Sequence, residues 1–317
     1  MDSQKNPKNI LVIKHGALGD MIFAQGAFQA IRDHHPTDHL VLLTTSSYGD
    51  FSKSMGLFDE VWIDDRPRPL TNPWSCFQLF WKLLKGRFDY IYDLQKSKRT
   101  RLYFKIMQFF FRPMPRWCGK FPECYFPYTD PAQRNLHIYD RHAKLLEVAG
   151  INHVPKPSVA WMTSDISHLH LPKKFFLFVP GCSPKQLHKR WSAENYGQVA
   201  QFLVKKKITP VIIGRSDEKD AIEIIQKMCP EAISLMGKTT LFDLGPLGRN
   251  ALGALGHDTG PMHIIAVTGC PSVLLFSYSS IPEHYAPRGF KATVIHRNNL
   301  RDVSVEEVLK AIELPSH

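Results

Sequence analysis

The chain has 317 residues, above the roughly 250–300 at which one hydrophobic core stops growing, so two domains are expected. Hydrophobic residues make up 44% and charged residues 22%, which excludes a largely disordered or fibrous chain. Lysine and arginine number 40 against 29 acids, and the resulting +11 points to an anionic partner: a nucleotide, a nucleic acid or an acidic membrane surface.

The opening residues, MDSQKNPKN, are polar and lead straight into a strand, so no secretory signal peptide is expected. Residues 9–14 (NILVIK) read as a buried strand, His15-Gly16-Ala17-Leu18-Gly19-Asp20 as a glycine-bearing turn, and the stretch to about His34 as an amphipathic helix. Short β-rich runs follow at 39–45, 60–64 and 89–94, with helical patterns between them. The interval 96–120 holds eight lysines and arginines and no acid, mixed with Phe104, Phe109, Phe110, Phe111 and Trp117. It reads either as a solvated helix face followed by a buried apolar segment, or as a surface for an acidic membrane. The longest apolar run, 102–111, is broken by Lys105 and Gln108 and falls short of the roughly 18 residues of a membrane span.

Residues 162–172 lack periodicity and read as a linker. The first grammar then repeats: a strand at 175–180 (FFLFVP), a loop to Trp191, and a helix from Ser192 to about Lys206. Strands follow at 209–214, 251–257 and 271–276, and a last helix at 303–314 is free to pack on either domain. Strands alternating with helices imply parallel sheets of βαβ units. The fold class is therefore α/β, with two Rossmann-like domains at 1–162 and 163–317. The six cysteines include no C-x-x-C pair, so reduced thiols in a cytoplasmic protein are expected rather than a disulfide framework or a zinc site.

Three segments can carry chemistry. The first turn is G-x-x-G-D rather than G-x-G-x-x-G, which disfavours a dinucleotide fingerprint. Gly19 allows close backbone approach, and Asp20 is either a general base at the carboxyl edge of the sheet or a carboxylate stabilising the helix start. The second, Gly181-Cys182-Ser183 followed by Lys185, His188, Lys189 and Arg190, is either a phosphate-binding loop or a solvated basic one. The third is His257-Asp258-Thr259-Gly260-Pro261-Met262-His263, a strand meeting a helix, with Thr259 and the Gly260 backbone placed to hold phosphate oxygens. Its spacing matches no H-E-x-x-H-type site, and no D-x-D occurs to hold a divalent ion on a diphosphate.

In chain order ILVIKHGALGD, GLFDEVWID, DLQKSKR, Lys189-Arg190-Trp191 and HDTGPMH followed by GCPSVLLF resemble glycosyltransferase family 9, the bacterial heptosyltransferases of lipopolysaccharide core synthesis. The resemblance implies the GT-B architecture with the active cleft between two Rossmann-like domains, inversion at the anomeric carbon, and no metal or other cofactor. It makes Asp20 the base and assigns Gly181, Cys182, Ser183, Lys189, Asp258, Thr259, Gly260 and His263 to the nucleotide diphosphate. Glu218, with Asp217 as the alternative, would contact the adenosine ribose. Acceptor candidates are Gly19, Lys96, Lys98, Arg99 and Arg101. The chain departs from the family at 277–280, where Ser-Tyr-Ser-Ser stands in place of Gly-Pro-[ST].

The expected activity is heptose transfer from an ADP-sugar to an acidic glycolipid of the lipopolysaccharide inner core, in the cytoplasm or at the periphery of the inner membrane. The alternatives are a GT-B enzyme using another nucleotide sugar, an epimerase included, or an inactive sugar-nucleotide-binding relative. No recognition-helix, zinc-finger or RNP signature supports a nucleic-acid partner.

Overall fold

The computed structural model describes residues 6–68, 70–181 and 190–314. The chain divides into two compact units between Pro157 and Ser158. The division precedes Met162 because residues 158–162 are tied to the second unit: Arg249 donates to the carbonyls of Val159 (3.3 Å) and Met162, and Met162 packs on Gly245.

The first unit runs β1 (Asn9–Ile13), α1 (Leu18–His34), β2 (His39–Thr44), α2 (Gly49–Ser54), β3 (Glu60–Ile63), α3 (Pro73–Lys85), β4 (Tyr90–Asp93), α4 (Lys98–Phe110), β5 (Arg116–Gly119), β6 (Phe126–Pro127) and α5 (Ile138–Glu147). Its strands pair in the order β3-β2-β1-β4-β5-β6, all parallel. Helices cover both faces, so Ile10 to Ile13 are wholly buried and the strand is an unbroken apolar run. Leu11, Ile13, Val41, Ile91, Phe104 and Trp117 belong to one core. The basic interval resolves into α4, capped by Ser97 and buried through Tyr103, Phe104 and Met107, followed by β5 with buried Trp117 and Cys118.

The second unit runs β7 (Phe175–Val179), α6 (Ala193–Lys205), β8 (Thr209–Ile212), α7 (Lys219–Met228), β9 (Ile233–Ser234), α8 (Leu244–Asn250), β10 (Ala254–His257), α9 (Gly260–Val267), β11 (Ser272–Phe276), α10 (Pro282–Tyr285), β12 (Ala292–His296) and α11 (Val305–Ala311). Its parallel order is β12-β11-β10-β7-β8-β9. Phe176, Phe178, Tyr196, Leu203 and Leu255 form its core, and Val303 and Val308 join them, so the last helix packs on this unit.

Both sheets share one wiring. The first strand of the unit lies between its second and fourth, and the connection reverses direction there. Ligands of open α/β sheets bind at the carboxyl edge beside that reversal. It falls between β1 and β4 in the first unit, and between β7 and β10 in the second. Among the described residues, no helix is long and apolar enough to cross a membrane. Cys76, Cys118, Cys124, Cys229 and Cys270 are buried free thiols.

Candidate functional site

In the first unit the turn after β1 is pinned from three neighbouring strand ends. The His15 N–H donates to Gln95 Oε1 beyond β4 (2.9 Å), and Thr45 Oγ1 beyond β2 donates to the His15 carbonyl (3.1 Å). His15 Nε2 lies 2.9 Å from Asp64 Oδ2 beyond β3. Gly16 has φ +102°, and an added methyl there would lie 2.2 Å from the Tyr48 ring, so only glycine fits this turn. Gly19 and Asp20 occupy the first turn of α1.

Asp20 Oδ2 accepts the Ala17 N–H (3.1 Å), closing the helix start, while Oδ1 faces Lys14 Nζ at 4.0 Å. Its side chain remains 37% exposed at the carboxyl edge. The helix-start role and an outward-facing carboxylate thus coexist in one residue. Lys14 is buried, and that burial pushes its pKa down against the opposing pull of Asp20 and Asp93.

Lys96 sits on the turn after β4, across the reversal from Asp20, with φ +50° and its N–H on Asp93 Oδ1 (2.7 Å). Burial, followed by the charge of Lys14, pushes its pKa down to about 8 against the pull of Asp93. Lys98 is exposed at the first position of α4, and Arg101 is half exposed, 3.8 Å from Glu123 and over the Phe121 ring. Arg99 is differently employed. Its Nε and Nη2 grip Asp64 at 2.9 and 2.7 Å, its Nη1 donates to the Pro67 carbonyl, and Tyr103 OH bonds the same carboxylate. Burial would raise the Asp64 pKa, but the bonds from His15, Arg99 and Tyr103 outweigh it and hold the carboxyl far below its usual range. A carboxylate buried this deeply needs such compensation, so the Arg99 guanidinium is committed to the scaffold of the Asp20 turn.

In the second unit, Gly181 follows β7, Glu218 follows β8, and Asp258 and Thr259 follow β10. The structure brings Gly181 and Glu218 into contact, since a methyl on Gly181 would lie 2.7 Å from the Glu218 carboxyl. Glu218 Oε2 accepts the Arg215 N–H (2.7 Å) and Oε1 lies 3.7 Å from Arg190. Cys182, Ser183 and Lys189 lie outside the described residues.

Asp258 is held from both sides. Its Oδ1 meets His263 Nε2 at 2.9 Å, one turn into α9, and its Oδ2 accepts from Ser280 Oγ. The 277–280 segment that departs from the family pattern therefore supplies a hydroxyl that orients Asp258. Thr259 is the N-cap of α9, with Gly260 next, and its Oγ1 is buried without a hydrogen-bond partner. A buried hydroxyl at a helix N-terminus has the chemistry to receive an anion. His257, the last residue of β10, accepts the Trp191 N–H at Nε2 (2.7 Å), and the Trp191 ring N–H donates to the Val303 carbonyl (2.9 Å). Sequence reasoning missed Lys14, Asp64 and Ser280. The signal for Lys14 and Asp64 was a charged residue directly after an apolar strand.

A model of glycosyltransferase family 9 (heptosyltransferase) matches residues 77–312. The chain belongs to glycosyltransferase family 9. It is 26% identical to the lipopolysaccharide core heptosyltransferase OpsX of Haemophilus influenzae over 299 residues, covering 89% of this chain and 82% of that relative. Its fold matches a family 9 glycosyl transferase from Veillonella parvula (TM-score 0.76, 21% identity, 96% of this chain and 95% of that one). It also matches the E. coli ADP-heptose lipopolysaccharide heptosyltransferase II (TM-score 0.75, 19% identity, 96% and 97%). Family membership makes the protein a glycosyltransferase, and the two Rossmann-like units are those of the GT-B fold.

Proposed function

We propose that this family 9 enzyme moves a heptosyl group from ADP-heptose to an acidic glycolipid of the lipopolysaccharide inner core, inverting the anomeric carbon without a metal. The donor and acceptor follow the names of the relatives, OpsX and heptosyltransferase II. The observation that carries the donor half is Thr259, whose buried, unpartnered hydroxyl begins α9.

Asp20 takes the proton of an acceptor hydroxyl as that oxygen attacks the anomeric carbon, and the bond from that carbon to the diphosphate oxygen breaks. Lys14 Nζ stands 4.0 Å from Asp20 Oδ1, on the side of the carboxylate away from the Ala17 N–H. The departing ADP is met by Thr259 Oγ1, the first turn of α9, and Lys189 with the 181–183 backbone. Asp258 and His263 hold that junction in shape, Glu218 takes the ribose, and Lys96, Lys98 and Arg101 receive the acidic acceptor at a membrane surface.

The test measures ADP released from ADP-heptose in the presence of an inner-core glycolipid. Asn in place of Asp20 keeps an oxygen for the Ala17 N–H but is a poor base. Asp20→Asn is expected to lower kcat by about 10²- to 10⁴-fold while ADP affinity is unchanged. Unimpaired transfer by this variant removes Asp20 as the base; turnover of a UDP-sugar instead of ADP-heptose removes the donor assignment.

A further inference from the structure

Helix α3 carries two apolar stripes. Cys76, Leu79 and Leu83 are buried beneath it. Trp74, Phe77 and Trp81 point outward, 65%, 53% and 51% exposed. Their spacing of three and four residues puts them on one face. The rings stack in a row, with centroids 5.6 Å apart for Trp74–Phe77 and 6.1 Å for Phe77–Trp81. With Trp62, Lys82 and Lys85 they line an apolar groove of about 470 Å³. Lys82 Nζ stands 4.4 Å over the Trp62 ring and Lys85 Nζ 5.2 Å over Trp81, and the helix contains no acid. Neighbouring α4, joined through the Phe80–Tyr103 ring contact, is also free of acids and exposes Phe109 and Phe110.

Charge decides what fits here. Glu60 accepts the Trp62 ring N–H (2.7 Å) and faces Lys82, leaving two lysines against one acid at the groove. In a chain of net charge +11 a second copy would set like charges together, whereas an anionic surface complements them. Ring geometry narrows the choice further. Rings stacked on one another present edges outward, which suits wedging among lipid headgroups better than stacking on a sugar.

We infer that α3 is the membrane-docking element of this protein: Trp74, Phe77 and Trp81 enter the headgroup region of an anionic bilayer, and Lys82 and Lys85 sit on its phosphates. This deepens the function proposed above and rests on its acceptor being a membrane glycolipid. The start of α3 also reaches the carboxyl edge, where Asn72 and Ser75 line a cavity of about 430 Å³ with Asp64. The other end of α3, with Lys82 and Lys85, lies at the amino edge, where Asn9 Nδ2 donates to the Gly86 carbonyl (3.3 Å). Docking by α3 therefore lays the flank of the sheet, from one edge to the other, along the bilayer.

The full chain is to be sedimented with phosphatidylcholine vesicles, with and without phosphatidylglycerol. Binding is expected only to the anionic vesicles. Replacing Trp74, Phe77 and Trp81 together by Ser weakens it by more than about a hundredfold, since each ring loses its apolar burial. Lys82→Gln and Lys85→Gln each weaken it about fivefold. Because the rings are exposed, the triple variant is expected to melt as the wild type does; should it not fold, Trp81→Ser and the lysine variants carry the test. Undiminished binding by these variants, equal binding to neutral vesicles, or a dimer that the substitutions break without any vesicle binding each overturns the proposal. ADP calorimetry on the same samples separates the two claims: ADP binding without vesicle binding overturns docking by α3 alone, and no ADP binding overturns the donor reading.

Discussion

Asp20 serves two partners at once, the Ala17 N–H through one oxygen and the Lys14 ammonium through the other, and still faces solvent. Opposite it, Lys96 is the acceptor candidate with a titration near the working range. A lysine pushed down to about 8 keeps its charge below that pH and loses it above. The acceptor KM is therefore expected to rise as pH climbs through about 8, and Lys96→Arg, always charged, should flatten that rise; a profile that does not respond to this change separates Lys96 from the acceptor. Beneath the same edge lies His142, buried, with burial and then the charges of Lys14 and Lys96 holding its pKa well below the usual histidine range. In the unfolded chain it takes a proton below about 6.5, and in the folded protein it does not, so stability falls as pH drops through that window. Asp64, depressed instead, adds stability above about pH 4 that is lost below it. Thermal melts are expected to decline first from about pH 6.5, and His142→Gln should shrink that early decline while leaving the later one; the remainder belongs to His35, whose pKa burial also lowers.

Helix α1 shows how close packing overrides local preference. Gly26 lies mid-helix, where alanine would ordinarily gain about 1 kcal/mol. A methyl there would sit 2.0 Å from the Pro155 carbonyl oxygen, a backbone atom with no rotamer to yield. Gly26→Ala is therefore expected to destabilise by about 1–3 kcal/mol, read as a lower melting temperature. Strands covered on both faces, such as β1, β7 and β11, were plain in the sequence, because double burial makes continuous apolar runs. The outer strands β6, β9 and β12 were not, β6 and β9 having two residues each and β12 being half exposed at the edge; nor was β5, whose four residues lie inside the basic interval. The turn bearing Asp20 and the Asp258–His263 junction were also legible, since each is a local run. The Asp64–Arg99 clamp was not: its partners are 35 residues apart on different elements, and an arginine in a basic interval looks like a ligand contact. The outward stripe of α3 was not legible either, because spacing puts Trp74, Phe77 and Trp81 on a shared face and does not report what covers it.

At the scale of the molecule, one wiring is used twice, and each unit places its chemistry beside the reversal of its sheet. The first contributes a carboxylate flanked by lysines; the second contributes a hydroxyl and helix start shaped for an anion. The net charge of +11 suits the function proposed, in which both a diphosphate and an acidic acceptor are met by cations. The donor claim is tested most directly by calorimetry of the purified protein with ADP, UDP, GDP and CDP, without added metal. Preference for ADP is predicted, weakened about 10- to 100-fold by Thr259→Val through loss of a hydrogen bond to a charged phosphate. Equal binding of all four nucleotides, or an affinity for ADP that Thr259→Val leaves unchanged, would contradict it.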